Sequence, residues 1–98
     1  MNKICSFMRF KAKEGCEDEF LAELKAANME ISYLLSWQIV SLGDREFIQT
    51  FVYEDIENVV EMQDVGDAFL NRVEHLLERY EDGSRTNAFS GIVVEEKD

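Results

Sequence analysis

Apolar and polar residues alternate along the first part of the chain with the period of two that is typical of a β-strand. Over residues 3–13, one face carries Ile4, Met8 and Phe10, and the other carries Cys5, Phe7, Arg9 and Lys11. A Lys-Glu-Gly sequence at residues 13–15 ends this strand. A last strand is predicted over residues 86–96, although Gly91 weakens it.

Two other segments have the period of an α-helix. Residues 16–31 bring five apolar side chains to one side: Phe20, Leu21, Leu24, Ala27 and Ile31. The second helical region is predicted in two pieces, residues 56–63 and residues 67–81, with a break at the sequence Asp-Val-Gly-Asp. The longer piece has its own apolar stripe, formed by Phe69, Val73, Leu76, Leu77 and Tyr80.

Between the helices, residues 33–42 and 45–54 form a predicted β-hairpin that turns at Gly43-Asp44. Glycine supplies the positive φ that such a two-residue turn needs. This turn sets a register that pairs Val40 with Phe47, Gln38 with Gln49, Trp37 with Thr50 and Ser36 with Phe51.

The resulting order, β-α-β-β-α-β, is that of the ferredoxin-like α+β fold. We therefore predict a single domain over residues 1–98, with a four-stranded antiparallel sheet and two helices on one face of the sheet. The other face of the sheet is left without a cover.

Both faces of the hairpin carry large apolar residues. The aliphatic set is assigned to the helices: Leu35, Trp37, Ile39, Ile48, Thr50 and Val52. The opposite set mixes aromatic and amide side chains, which suits an interface. We expect it to be covered by a second copy of the sheet, giving a homodimeric α+β barrel. The predicted interface residues are Phe7, Arg9, Gln38, Phe47, Gln49, Phe51 and Tyr53.

Charge and composition narrow the functional classes. With 21 acidic and 10 basic residues, the chain has a formal charge of −11, which repels nucleic acid and anionic lipid. No apolar run approaches the length of a transmembrane helix, and the start of the chain lacks the apolar core of a signal peptide. The two cysteines form no metal-ligand spacing, so we expect a cytoplasmic protein with reduced thiols and no metal.

Three segments carry a family resemblance. They are "FKAKEGCEDEFLAEL", a strand and turn before an acidic helix start, "FVYEDIENVVEM", a strand that runs into a short helix, and "DVGDAFLNRV" before the long helix. On these segments, within residues 3–94, the chain resembles the dimeric α+β barrel superfamily and its antibiotic biosynthesis monooxygenase-like domain. This family contains oxygenases, haem-degrading enzymes and isomerase-like members.

The resemblance argues against haem breakdown. Haem-degrading members use an Asn, a Trp and a His at positions that here hold Met8, Met62 and Val73. The single histidine, His75, is placed by the helical period away from the apolar stripe, where a solvated role is expected. We predict no cofactor.

A ligand pocket is predicted between the sheet and the second helix, although an ordinary core is the more frequent explanation for the same residues. Its lining residues are Ser6, Met8, Trp37, Thr50, Met62 and Phe69. Because no acid–base pair is found, we place binding of an elongated, mostly apolar carbonyl compound, fatty-acyl or polyketide-like, ahead of catalysis. The alternatives are a cofactor-free monooxygenase or isomerase-like enzyme of the same family, and a purely structural dimer module.

Overall fold

The structure, a computed structural model, describes residues 3–97, and its elements follow the predicted order. The elements are β1 (Ile4–Lys11), α1 (Glu17–Met29), β2 (Ser36–Gly43), β3 (Glu46–Tyr53), α2 (Asn58–Val73) and β4 (Asn87–Ile92). The sheet has the order β2-β3-β1-β4, and each neighbouring pair is antiparallel. The predicted ferredoxin-like α+β fold is confirmed.

The core lies between one face of the sheet and the two helices. Phe10 of β1 and Phe20 of α1 have ring centroids 5.2 Å apart, and the ring of Phe69 in α2 lies 6.3 Å from each of them. A second cluster nearer the start of β1 joins Ile4, Phe51, Tyr53 and Met62. These aromatic contacts tie both helices to the central strands.

The hairpin turns one residue later than predicted. Asp44 and Arg45 have φ angles of 52° and 64°, so they form the turn, and Gly43 pairs with Glu46. A bulge between Ser41 and Gly43 takes up the extra residue in β2.

The new register reverses the faces of β3, because a slip of one residue moves every side chain of a strand to the other side. Trp37 pairs with Phe51 instead of Thr50, and Ile39 pairs with Gln49. The face assignment predicted for β3 is therefore wrong. Its buried, helix-covered residues are Phe47, Gln49, Phe51 and Tyr53, whereas Ile48, Thr50 and Val52 lie on the opposite face. The faces predicted for β1 are confirmed, because Ile4 and Phe10 are buried.

The predicted break in the second helix is also wrong. α2 runs without interruption through Gly66 and ends at Val73, well before residue 81. A single 3-10 turn, Glu74–Leu76, follows it, and Leu77 then pairs with Ala12 beyond the end of β1. The apolar residues after Val73 thus reach the core through a turn and a β-bridge.

Candidate functional site

Small side chains on the side of β1 and β4 that faces the helices leave a cavity beneath α2, open at the exposed edge strand β4. Ser6 pairs with Ser90, and the neighbouring Met8 pairs with Ala88. Above them, Gly66 of α2 has no side chain. The resulting cavity has a volume of about 460 Å³, within the range of about 300–1,000 Å³ that is usual for small-molecule sites. Its apolar wall includes Met8, Phe51, Val59, Met62 and Leu70.

Three hydroxyl groups form a row along the wall of this cavity. The Tyr53 hydroxyl and Ser6 Oγ are 2.9 Å apart, and Ser6 Oγ lies 2.7 Å from Ser90 Oγ. The row crosses the sheet from β3 through β1 to β4, so three different strands position it.

Proton counting shows what the row offers to a ligand. Three hydroxyl groups hold three protons, and the two hydrogen bonds use two of them, so one proton is left for an acceptor. The phenol is the most acidic of the three, which favours donation from Tyr53 to Ser6 and from Ser6 to Ser90. With that direction the free proton is on Ser90, at the exposed end of the row, and with the reverse direction it is on the Tyr53 hydroxyl.

Half of the predicted pocket residues meet at this cavity. Ser6, Met8 and Met62 line it together. Trp37 packs against the cluster that contains Phe51 and Met62, without lining the cavity. Phe69 lies in the other part of the core.

The predicted position of Thr50 is wrong, because the corrected register puts its side chain on the face away from the helices. Its expected role as a polar group inside the pocket falls instead to Tyr53 and Ser90, which were not predicted there. Ser90 could have been found from the sequence by pairing the last strand with β1. Tyr53 required the correct hairpin register.

A second cavity, of about 350 Å³, lies between the end of α1 and α2. It contains the charged residues Glu61 and Arg72 beside Tyr33, whose pKa is raised by burial and, secondarily, by the Glu61 carboxylate. The Arg72 guanidinium sits 5.6 Å from the centroid of the Phe69 ring. This mixed, charged lining is less suited to an apolar ligand than the first cavity.

The sheet face away from the helices, which we call the open face, is rich in apolar side chains. Its residues include Cys5, Phe7, Arg9, Gln38, Val40, Ile48, Thr50, Val52 and Phe89. The rings of Phe7 and Phe89 stack with centroids 4.8 Å apart, and Phe89 is 56% exposed. A 2.5 Å hydrogen bond from Arg9 Nη2 to Glu46 Oε2 raises the pKa of the guanidinium, so Arg9 is charged here.

The open face contains three of the seven predicted interface residues, Phe7, Arg9 and Gln38. Placing the other four there is wrong, since Phe47, Gln49, Phe51 and Tyr53 are buried under the helices. The register error accounts for all four. Thr50 and Val52, assigned to the core, belong to the open face instead.

The remaining reactive side chains form no second centre in the part of the chain that is described. His75 is exposed in the 3-10 turn. Burial raises the pKa of the Cys5 thiol on the open face. Residues 3–97 contain no group of three or more His, Cys, Asp and Glu side chains arranged to hold a metal ion. Over the same residues, no helix has both the length and the apolar character needed to span a membrane.

Neither a protein-family model nor a curated protein matches the sequence. Solved structures do share its fold. A protein of unknown function from Nitrosomonas europaea is 25% identical, with a TM-score of 0.73 over 99% of this chain and 94% of that one. A candidate antibiotic biosynthesis monooxygenase from Chloroflexus aurantiacus is 12% identical, with a TM-score of 0.74 over 98% of this chain and 97% of that one.

A third structure, a dimeric ferredoxin-like protein of unknown function from Thermobifida fusca, is 13% identical. Its TM-score is 0.65 over 94% of this chain and 92% of that one. These likenesses confirm the predicted resemblance to antibiotic biosynthesis monooxygenase-like proteins at the level of the fold.

Proposed function

We propose that this protein binds a small, mostly apolar carbonyl compound in the cavity between α2 and the β1–β4 strand pair. The observation that supports this most directly is the Tyr53–Ser6–Ser90 hydroxyl row in a mostly apolar wall, whose other polar members are Gln63, Asp67 and Thr86. The row provides one free donor for a carbonyl oxygen, and the apolar part of the ligand lies against Met8 and Met62. Burial of apolar surface contributes about 25 cal/mol per Å², so micromolar affinity requires no charge pair.

We also propose that two copies associate through their open faces. Val40 and Phe89 are 42% and 56% exposed on that face, although they are large apolar residues. An apolar sheet face of this kind on a soluble protein marks an interaction surface. The dimeric state in the description of the Thermobifida fusca structure, which has the same fold, supports a second copy as the partner.

Native mass spectrometry of the purified protein tests both proposals. The expected species is a dimer that carries a small molecule, which is then released by denaturation and identified. A titration with methyl nonyl ketone follows, with Gly66→Leu as the blocking variant. Because a Cβ at residue 66 already reaches 3.6 Å from Met8 Cε, a larger side chain must enter the cavity.

Ala68→Leu is the matched control, since Ala68 lies on the same helix and lines the second cavity instead. We expect Gly66→Leu to abolish ketone binding and Ala68→Leu to preserve it. Loss of binding in Ala68→Leu with binding retained in Gly66→Leu would show that the ketone binds in the second cavity. Binding that survives both substitutions would overturn the proposed site.

A cofactor-free oxygenase acting in the same cavity is the second candidate. It is favoured by the fold shared with the Chloroflexus aurantiacus structure, which is described as a candidate antibiotic biosynthesis monooxygenase. In such a reaction the electron-rich substrate reduces oxygen, and the protein supplies a mostly apolar site with few polar groups. Oxygen uptake with a hydroxynaphthalene, compared between wild type and Gly66→Leu, distinguishes it from binding alone.

A further inference from the structure

A pair of amide side chains is buried in the core, where apolar residues would be expected. Asn28 of α1 and Gln49 of β3 are each 2% exposed, and Asn28 Nδ2 donates a 2.8 Å hydrogen bond to Gln49 Oε1. Buried amides must be hydrogen-bonded to be tolerated, and replacing both partners by apolar groups of similar shape is often nearly neutral. Stability alone therefore gives no reason for this pair.

The hydrogen bond between Asn28 and Gln49 orients the Gln49 amide nitrogen toward Met8. Since Asn28 occupies the oxygen of the Gln49 amide, the nitrogen of that amide points the other way. Gln49 Nε2 lies 3.8 Å from Met8 Sδ, across the β1–β3 ladder in which the two residues are direct partners. A thioether is a weak acceptor on a flexible side chain, so this contact limits the orientations that Met8 adopts.

Met8 is also the point where the sheet meets α2 beside the cavity. Its terminal methyl, Cε, lies 3.6 Å from the position of a Cβ at Gly66. Met8 is also the last residue of β1 that lines the cavity, so its methyl lies at one end of the cavity wall, against the helix. If the side chain turned away, the cavity would lengthen at this end.

We propose that Asn28 and Gln49 are positioning residues, which hold Met8 in one conformation and so set the length of ligand that the cavity accepts. Neither residue lines the cavity, so both act through Met8. A wall held in place before binding gives tighter and more selective binding, because the ligand does not have to immobilise it. This inference rests on the proposed binding function of the cavity.

The test replaces the amides by apolar side chains of similar shape in the double variant Asn28→Leu, Gln49→Met. NMR of the methionine ε-methyl groups reports on Met8 without any ligand, and Met29, which is 70% exposed, serves as an internal reference for an unpacked side chain. We expect the Met8 resonance to move toward that of Met29. Affinity for methyl nonyl ketone should fall about threefold to tenfold, the range for one side chain that must be immobilised on binding.

Discrimination between ketones of different chain length should shrink in the same variant. Asn71→Leu, which removes an exposed amide from α2, is the control and should change neither readout. Met8→Leu leaves the amide pair intact and provides a second test if the double variant does not fold. It should reproduce the loss of discrimination.

An unchanged Met8 resonance in the folded double variant would overturn the positioning role. Unchanged chain-length discrimination in both the double variant and Met8→Leu would overturn it as well. If wild-type protein bound no ketone at all, the proposed function would fail, and the methyl spectra would still decide whether the amides hold Met8.

Discussion

Two charge substitutions in the same strand should have opposite consequences. Ile48 and Phe51 both lie in β3, but Ile48 is on the open face and Phe51 is 2% exposed beneath the helices. We expect Ile48→Glu to give a folded monomer, and Phe51→Glu to prevent folding.

The magnitudes follow from where each side chain lies. Truncating a buried phenylalanine costs about 3–5 kcal/mol, and an unpaired buried carboxylate adds several more. A domain of this size is stable by about 5–15 kcal/mol, so Phe51→Glu removes most or all of that stability. At a partly exposed position such as Ile48, the cost to a single subunit is about 0.5 kcal/mol.

In a two-fold dimer, each substitution on the open face counts twice. If burial of each unpaired carboxylate costs at least about 2 kcal/mol, the dimer is weakened by at least about 4 kcal/mol, or roughly a thousandfold or more in dissociation constant. Sedimentation velocity measures the association state, and circular dichroism during heating measures folding. A folded Phe51→Glu monomer together with an unfolded Ile48→Glu protein would refute the assignment of the two faces. A dimeric Ile48→Glu would refute the open-face interface.

Three further outcomes are expected. Ser6→Ala removes the hydrogen-bond partner that the buried Tyr53 hydroxyl has at 2.9 Å, so the free energy of unfolding, measured by urea denaturation, should fall by about 1–3 kcal/mol. An unchanged free energy of unfolding would show that the hydroxyl row adds nothing to stability. His75→Ala should change unfolding by no more than about 0.5 kcal/mol and leave ketone binding intact, whereas lost binding would contradict the exposed position of His75. Burial raises the pKa of Cys5 and so reduces the fraction of its thiolate at mildly alkaline pH. Iodoacetamide should therefore modify Cys5 more slowly in folded protein than in urea. Equal rates of modification would contradict the burial of the thiol.

The order of the elements could be predicted from the sequence because most of them have a clear period and turn residues separate them. α1 illustrates this, since Phe20 and Leu24 of its predicted stripe are buried. The faces of β1 were equally clear. Where only one phase of an element is apolar, the pattern decides its orientation.

β3 could not be oriented in this way, because both of its phases are apolar. The orientation then depended on the turn, and the turn has Arg45 at a positive φ, which few residues other than glycine and asparagine adopt. The bulge in β2 kept Trp37 on the predicted side while it reversed β3. The contributions of Phe51 and Tyr53 to the cavity depended on this one residue of register.

Gly66 misled the prediction of α2 for a different reason. A glycine within a helix costs only about 1 kcal/mol relative to alanine, which tertiary packing readily offsets. In this fold Gly66 has no side chain, so Met8 packs close to the helix. The sequence pattern alone does not distinguish a glycine that ends a helix from one that makes space beside it.

The position of β4 has a consequence for how the chain folds. Ile92 in β4 pairs with Ile4 in β1, so the ladder joins the two ends of the described chain. Such a contact of long sequence separation is slow to form, because the loop it closes spans almost all of the described residues. Until it forms, β1 is itself an unpaired edge, which invites pairing with other chains. The pairing of β4 with β1 therefore completes one side of the cavity and protects β1 against aggregation in the same step, and this step requires residues 87–92.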